Sequence, residues 1–284
     1  RIPDAFRLRS DKPRKMRRFA VRVPGNGDSV NCLERFMNHY FASDIHLGAG
    51  GEAFAGETER RFVAWLDDAA KDAESIFLVG DLFRLLVRIP RGRAKGFVRT
   101  LGKLAELTDR GRAGLFFTGN HDMWVGDYLA RECGVEVYTS PQRFCLNGKH
   151  LFIAHGDNMK IDGQPVLKLL NTVFRSRTLR WLFSWLLHPD WAMRFGHWWS
   201  GKSRKSHAAD TLDVSLTEPL IQYAREYAAM HDVDHFVFGH MHFPRDFREG
   251  NLHVINLGCW EQYPSYAVLD ASGELTLRRL EAFR

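Results

Sequence analysis

Five short polar motifs, each placed directly after an apolar run, constrain this chain more than any other feature of its sequence. Each run is almost continuously apolar, which is typical of a buried parallel strand. Open α/β sheets gather their ligands at the carboxyl ends of such strands, so the motifs are predicted to meet at one edge. The runs lie at 39–42, 76–79, 115–118, 151–154 and 235–238, and the motifs are Ser43-Asp-Ile-His, Gly80-Asp, Gly119-Asn-His-Asp, Ala154-His-Gly-Asp and Gly239-His-Met-His.

The motifs supply enough nitrogen and oxygen donors for a paired metal site. Imidazole, carboxylate and amide donors without a thiolate suit manganese, iron or zinc better than calcium. Two divalent metals held side by side form a hydrolytic centre for phosphate esters. A single Gly-Asp or Gly-His pair is usually only a turn, but five matches in order favour the metal interpretation. The donors are Asp44, His46, Asp81, Asn120, His155, His240 and His242.

Taken together, the five motifs resemble the signature of the calcineurin-like metallophosphoesterases, over about residues 39–270. The resemblance implies an α/β fold, an αββα sandwich of two mixed β-sheets flanked by helices. It also implies two divalent metal ions, most simply Mn²⁺ with iron or zinc as alternatives, bridged by Asp81. The first metal would be bound by Asp44, His46, Asp81 and His242, and the second by Asp81, Asn120, His155 and His240.

The same resemblance gives catalytic roles to the two residues that follow Asn120. His121 would act as a cation at the phosphate or as a proton donor to the leaving group. Asp122 would orient His121, as carboxylates often do for a working imidazole. The structural alternative for His121 is a histidine that only supports the metal ligands.

Length and cysteine content limit the class of protein. A chain of 284 residues is long enough for one large domain with an insertion. Its four cysteines are scattered without a Cys-x-x-Cys pair, which argues against a disulfide framework or zinc ribbon and favours a reducing, cytoplasmic compartment. No uninterrupted apolar run reaches the length of a membrane span.

The first 36 residues carry the net charge of the whole chain. They contain ten Lys/Arg and four Asp/Glu, a net charge of +6, so the remainder is neutral. Such a tail could contact nucleic acid or anionic lipid. We prefer the interpretation that 1–36 is a disordered or non-native extension, because it lacks apolar periodicity and Met37 stands directly before the first strand. The metallophosphoesterase domain would then span 37–284, and no nucleic-acid partner is expected.

Residues 158–207 are predicted to form a helical lid insertion. The segment carries nine Lys/Arg against two Asp/Glu and contains five of the eight tryptophans. Tryptophan combined with basic residues is typical of a helix at a lipid interface, although a helical cap packed on the sandwich would also be rich in tryptophan. The segment leaves the chain directly after the motif at His155, so it is placed to overhang the metals. A basic, apolar lid suggests a substrate with both phosphate and acyl chains.

That insertion narrows the resemblance to the UDP-2,3-diacylglucosamine diphosphatases of lipid A biosynthesis, which release UMP and 2,3-diacylglucosamine 1-phosphate. It implies a nucleotide-linked glycolipid substrate and a peripheral position on the cytoplasmic face of the inner membrane. The sequence specifies neither the acyl-chain length nor an oligomeric state. The residues that match the family's substrate contacts are Asp162, Ser200, Ser203, Arg204 and Lys205.

Two departures from that family pattern stand out. Many members have arginine at the position of His121. Residues 84–95 read Arg-Leu-Leu-Val-Arg-Ile-Pro-Arg-Gly-Arg-Ala-Lys, where relatives carry an acidic and aromatic run. The codons CGA-CTT-CTG-GTT-CGA-ATA would encode the first six of these residues, Arg-Leu-Leu-Val-Arg-Ile. If the next nucleotide is C, the same bases read without their first nucleotide encode Asp-Phe-Trp-Phe-Glu-Tyr, which is close to the run that relatives carry. We therefore hypothesise a local frameshift or a sequencing error, compensated before Gly96, which resequencing of the gene would test.

Two alternatives to this function remain open from the sequence. The chain could be another two-metal phosphoesterase, acting on nucleotide or protein phosphate esters. It could also be a catalytically silent scaffold of the same fold, although scaffolds usually lose a metal ligand or the histidine of the Gly-Asn-His-Asp motif, and this chain keeps all of them.

Overall fold

The computed structural model describes residues 19–22, 29–33, 37–49, 52–84, 96–122, 125–157, 159 and 217–280. The strands are β1 (Phe19–Arg22), β2 (Ser29–Leu33), β3 (Asn38–Ala42), β4 (Ala73–Val79), β5 (Ala113–Phe117), β6 (Glu136–Tyr138), β7 (Gln142–Leu146), β8 (Lys149–Ala154), β9 (His235–Phe238), β10 (Arg245–Glu249), β11 (Leu252–Asn256), β12 (Ser265–Leu269) and β13 (Leu275–Arg279). The helices are α1 (Glu52–Ala69), α2 (Val98–Asp109), α3 (Tyr128–Cys133) and α4 (Glu218–Ala228).

The strands form two mixed sheets. Sheet A has the order β1-β2-β7-β8-β9-β11-β10, and sheet B has the order β13-β12-β3-β4-β5-β6. In sheet A, β8, β9 and β11 are parallel neighbours. In sheet B, β3, β4, β5 and β6 run parallel. All five predicted strands are present, and every motif follows the carboxyl end of one of these parallel strands.

Alternating side chains along β4 show why the chain forms a layered sandwich. Phe77 and Val79 pack between the two sheets, against residues of β7, β8, β9 and β11. Ile76 and Leu78 point the other way, into a core shared with α1, α2 and α3. A strand buried on both faces favours apolar residues on both, which explains the continuous hydrophobic run at 76–79. Helix α4 covers the outer face of sheet A in the same manner. The αββα sandwich is therefore confirmed.

Two stretches of the N-terminal segment form strands in the structure. Residues 19–22 and 29–33 form β1 and β2, which pair with each other, and β2 adds to β7 in parallel. Whether 1–36 is a disordered or non-native extension stays a prediction. That the native protein begins at Met37 stays a prediction.

The structure leaves two predicted segments largely undescribed. The lid at 158–207 lies outside the described residues except for Met159, and the unusual run at 84–95 lies outside them except for Arg84. Among the described helices, none combines the length and the apolar character that crossing a bilayer requires.

A buried histidine joins the two sheets and makes their association sensitive to acid. The imidazole of His39 lies 2.6 Å from the Ser75 hydroxyl and 3.4 Å from the side-chain oxygen of Asn147, which belongs to the β7–β8 turn. Burial lowers the pKa of His39 from 6.5 to about 4, an effect only partly offset by Asn147. The folded state therefore favours neutral imidazole.

We expect this histidine to contribute to acid unfolding. Its stabilising contribution is complete above about pH 6.5 and is lost as the pH falls toward 4, by about 3 kcal/mol in total. The His39→Gln variant should be less stable at pH 7 but should lose less free energy of unfolding on acidification. Urea titrations at pH 7 and at about pH 4 would measure this difference. The control is His150→Gln, because His150 is more exposed than His39. An equal acid-induced loss in wild type and His39→Gln would contradict the assignment.

Candidate metal centre

Within each sheet, backbone hydrogen bonds join neighbouring motif loops. The amide of Asp44 donates to the carbonyl of Gly80 at 3.1 Å, and the amide of His46 donates to that of Asp81 at 3.0 Å. In sheet A, the amide of Gly239 donates to the carbonyl of His155 at 3.0 Å. These bonds continue each parallel ladder beyond its last strand residue, so the side chains that follow are held in fixed register.

Left-handed backbone is concentrated in these loops. Of the seven non-glycine residues with positive φ in the described ranges, five belong to the predicted metal set. A left-handed residue turns the chain sharply, which directs consecutive side chains toward the same point instead of alternating faces. Such a conformation costs a non-glycine residue roughly 1–3 kcal/mol and persists where the surroundings enforce it, commonly at functional sites. The five are Asp44, His46, Asp81, His240 and His242.

Two glycines permit the loops to approach each other this closely. A Cβ atom at Gly239 would lie 2.0 Å from the hydroxyl of Ser43, and one at Gly119 would lie 2.1 Å from Oδ1 of Asp81. Neither gap can hold a methyl group, so each loop is accommodated only because its motif begins with glycine.

We expect Gly119→Ala to displace the carboxylate of Asp81. The added methyl would also lie 2.7 Å from the backbone nitrogen of Asp81, so rotation of the side chain alone cannot relieve the clash. Overpacking of this kind destabilises by roughly 1–3 kcal/mol, and activity should fall with it. Thermal unfolding and an activity assay would measure both. The control is Gly102→Ala within α2, where nothing lies within 4 Å and alanine should stabilise by about 0.5–1 kcal/mol. Unchanged stability and activity in Gly119→Ala would refute the expectation.

One group of donors gathers around Asp44. Its Oδ1 lies 3.6 Å from Nε2 of His46 and 3.4 Å from Nε2 of His242, and the two imidazole nitrogens lie 3.1 Å apart. Burial lowers the pKa of His46 to about 3. Burial would raise the pKa of Asp44, but the adjacent imidazole of His242 lowers it to about 2. Asp44 is therefore ionised and His46 neutral, the protonation states that coordination of a cation requires. Burial would lower the pKa of His242, but the negative charge of Asp44 raises it, as it would favour any cation at this position.

A second group gathers around Asp81. Its Oδ2 lies 3.4 Å from Nε2 of His155, which in turn lies 3.3 Å from the side-chain oxygen of Asn120. Ligand atoms of Asp81, His155 and His240 all lie within 4.8 Å of one another. The Nδ1–H of His155 donates a hydrogen bond to the carbonyl of Val79 at 2.9 Å, which leaves Nε2 facing Asp81. Burial would lower the pKa of His155, but Asp81 raises it well above its usual value.

Each carboxylate has one oxygen fixed and the other without a hydrogen bond. Oδ2 of Asp44 accepts from the Ser43 hydroxyl at 2.5 Å and from the His240 amide at 2.9 Å, while Oδ1 of Asp81 accepts from the His121 amide at 2.9 Å. Their other oxygens are buried and lack a hydrogen-bond partner among the described residues. A buried carboxylate oxygen in that state is costly unless a cation meets it. These residues therefore fit a pair of divalent metals.

Comparison with known proteins decides the family. A family model described as calcineurin-like phosphoesterase matches residues 37–244. The chain belongs to this family. A protein named UDP-2,3-diacylglucosamine hydrolase from Porphyromonas gingivalis is 35% identical over 257 residues, covering 85% of this chain and 97% of that protein. One of the same name from Pseudomonas aeruginosa is 27% identical, covering 84% and 97%. A solved archaeal phosphodiesterase aligns with a TM-score of 0.43 at 14% identity, covering 86% of this chain and 100% of that one.

Family membership makes the chain a hydrolase, as the motifs predicted, and calcineurin-like phosphoesterases use divalent metals. All seven predicted donors of this phosphoesterase lie in the two groups. The five predicted substrate contacts lie outside the described residues: Asp162, Ser200, Ser203, Arg204 and Lys205.

His121 lies at the mouth of the phosphoesterase site. Its side chain is 20% exposed, and its Nε2 lies 3.9 Å from Oδ2 of Asp81. The ring stands edge-on to that of His46, with centroids 5.1 Å apart. The position combines contact with the buried donors and access from solvent, as a group that meets a substrate requires.

Asp122 has partners other than the expected one. Its Oδ1 accepts from the amide of Gly119 at 2.7 Å and its Oδ2 from the amide of Leu82 at 2.8 Å. Among the described residues, no hydrogen bond joins it to the ring of His121. Burial, followed by the charge of Asp81, raises the pKa of Asp122 to about 8. In this structure Asp122 holds the 80–82 and 119–122 loops together, and the expected orientation of His121 is not observed.

Cys259 was not anticipated at this site. It follows β11, a parallel neighbour of β9, so its loop opens at the same edge as the Gly239-His-Met-His motif. The strand Leu252–Asn256, in which three of the five residues are apolar, is followed by Leu-Gly-Cys and was the available sequence signal. It was missed because no donor of the family signature lies there.

Proposed function

We propose that this phosphoesterase hydrolyses the pyrophosphate of UDP-2,3-diacylglucosamine, releasing UMP and 2,3-diacylglucosamine 1-phosphate in lipid A biosynthesis. The observation that carries the proposal is the pair of buried carboxylate oxygens of Asp44 and Asp81, each unpartnered and facing histidines. The name of the relative that is 35% identical along 85% of the chain supports the choice of substrate.

The proposed metal ligands divide into the two groups. Asp44, His46 and His242 would hold one ion, His155, His240 and Asn120 would hold the other, and Asp81 would contribute to both. When bound, such a pair neutralises phosphate charge and supplies a hydroxide at neutral pH. From the nitrogen and oxygen donors we propose Mn²⁺, with iron and zinc as alternatives.

The remaining catalytic work falls to His121. Water oxygen forms a new bond to one phosphorus of the pyrophosphate as the bridging P–O bond breaks, and the leaving phosphate departs with the bond's electron pair. We propose that His121 neutralises this developing charge, as a cation or by donating a proton. Its partial exposure beside Asp81 supports this role.

The lid and its basic residues are proposed to receive the glycolipid at the membrane surface. Asp162, Ser200, Ser203, Arg204 and Lys205 would contact the substrate. Acyl chains gain about 0.8 kcal/mol per buried methylene, whereas a small soluble ester has no such contribution to lose. Replacing Trp181 and Trp185 with serine should therefore impair lipid hydrolysis far more than hydrolysis of a small ester. Equal loss on both substrates, with a lower melting temperature, would instead identify these tryptophans as core packing.

The proposed substrate is tested by a direct comparison. Manganese-supplemented protein should hydrolyse UDP-2,3-diacylglucosamine in strong preference to a generic aryl phosphodiester, and UMP should appear with the sugar phosphate in equal amounts. Preference for the generic ester would support instead a phosphoesterase of nucleotide or protein phosphates. Absence of both activities in metal-loaded protein would support a silent scaffold.

A further inference from the structure

The backbone around Cys259 places this residue against the first donor group. The amide of Trp260 donates to the carbonyl of Asp44 at 3.1 Å, which ties the end of β11 to the first motif. Gly258 turns the chain with φ of +77°, and a Cβ there would lie 2.9 Å from both Pro244 and Ser265. The turn is therefore possible only with glycine, and it directs the next side chain toward the proposed metals.

The thiol of Cys259 lies among metal-binding side chains. Its sulfur and one ring nitrogen each of His46 and His242 all lie within 4.8 Å of one another. The residue is only 2% exposed. The buried, unpartnered Oδ1 of Asp44 points at the same two imidazoles, at 3.6 and 3.4 Å. Two independent features, a thiol and a carboxylate oxygen, thus converge on one pair of histidines.

We propose that Cys259 is a further metal ligand, which adds sulfur to the nitrogen and oxygen donors of Asp44, His46, His242 and the shared Asp81. This inference rests on the two-metal centre of the proposed function. The metal–sulfur bond forms as the thiol proton passes to solvent. Thiolate favours zinc and other softer ions, whereas Mn²⁺ prefers oxygen donors. The two positions should therefore differ, with Zn²⁺ favoured beside Cys259 and harder ions accepted beside Asn120.

A second buried cysteine shows what a purely structural thiol looks like in this fold. Cys133 is the last residue of α3, is 3% exposed and packs in the core. Its thiol donates to the carbonyl of Leu101 in α2 at 3.5 Å. Buried cysteine often serves simply as a small apolar residue, and Cys133 fits that description. Cys259 differs because its sulfur lies beside two imidazoles, and those imidazoles in turn lie beside the ionised carboxylate of Asp44.

The test uses the full chain loaded with Co²⁺, a spectroscopic substitute for zinc, and with Zn²⁺. Wild type should show the near-ultraviolet thiolate-to-cobalt charge-transfer absorption, and zinc X-ray absorption should detect sulfur at about 2.3 Å. Cys259→Ser and Cys259→Ala should lose both signals. Their preference for Zn²⁺ over Mn²⁺ should also fall, by roughly 10-fold or more. Metal competition followed by metal analysis would measure this preference. The control Cys133→Ala should keep all of these properties.

Either of two results overturns the proposal: wild type without a metal–sulfur signal, or Cys259 variants that retain it. The first needs no variant, so poor folding of a substituted protein cannot obscure the outcome. Activity is scored separately on the manganese-loaded enzyme. A metal–sulfur signal without hydrolysis of UDP-2,3-diacylglucosamine would reject the proposed substrate alone, and hydrolysis without the signal would reject only the role of Cys259.

Discussion

Replacing Asp81 with alanine is expected to abolish hydrolysis and to reduce metal occupancy at both positions. The carboxylate of Asp81 lies 3.4 Å from His155 in one group and belongs to the same 4.8 Å cluster as His46 of the other. Asp81 is the proposed bridge between the two groups, so its removal leaves each ion with fewer donors. Metal analysis after gel filtration, together with a substrate assay, would measure the two effects.

His242→Ala is the matched comparison for Asp81→Ala. It removes a donor from the group around Asp44 only, so it should empty mainly one position and leave about half the metal. Thermal unfolding of both variants would show that the fold persists. Full metal occupancy in Asp81→Ala would contradict the bridging role, even with activity lost.

His121→Ala should keep both metals while turnover falls by roughly 10²–10⁴, the contribution of a general acid. The ring of His121 lies 3.9 Å from Asp81 and is partly open to solvent, so its removal leaves the carboxylates and the other imidazoles in place. Single-turnover kinetics and metal analysis on the same sample would separate the chemical step from metal loss.

The His121→Arg variant distinguishes the two roles that His121 could have. Arginine supplies a permanent positive charge but does not transfer a proton near neutral pH. Recovery of turnover in this variant would identify charge neutralisation, and continued loss would identify proton donation. Loss of metal in His121→Ala would instead mean that the imidazole supports the ligands.

The sequence predicted those parts of the fold that depend on local pattern. The run at 76–79, before Gly80, is apolar at every position because this part of β4 is buried between a helical layer and the second sheet. Such a run can be recognised from the sequence alone. The αββα arrangement came from the family resemblance, since pairing of distant strands leaves no local trace. For the same reason, the parallel pairing of β2 with β7 could not be predicted from a segment without periodicity.

Side-chain partners within the site were harder to predict. Asp122 follows His121 directly, and adjacency suggested contact, but the loop turns its carboxylate toward the amides of Gly119 and Leu82. The position of Cys259 depends on the parallel pairing of β11 with β9, which brings the carboxyl end of β11 to the edge where the five motifs lie. Both differences arise from backbone direction at strand ends, where the alternation rule for side chains no longer applies.

The left-handed residues of the motif loops have a consequence for laboratory evolution. If each of the five costs roughly 1 kcal/mol or more in backbone strain, the loops oppose folding by several kcal/mol. The substitutions Asp44→Gly and His242→Gly would relieve the backbone strain, but each would also remove a metal-binding side chain. A selection for heat resistance alone should therefore enrich inactive proteins, and thermostable catalysts will emerge only from screens that also demand hydrolysis.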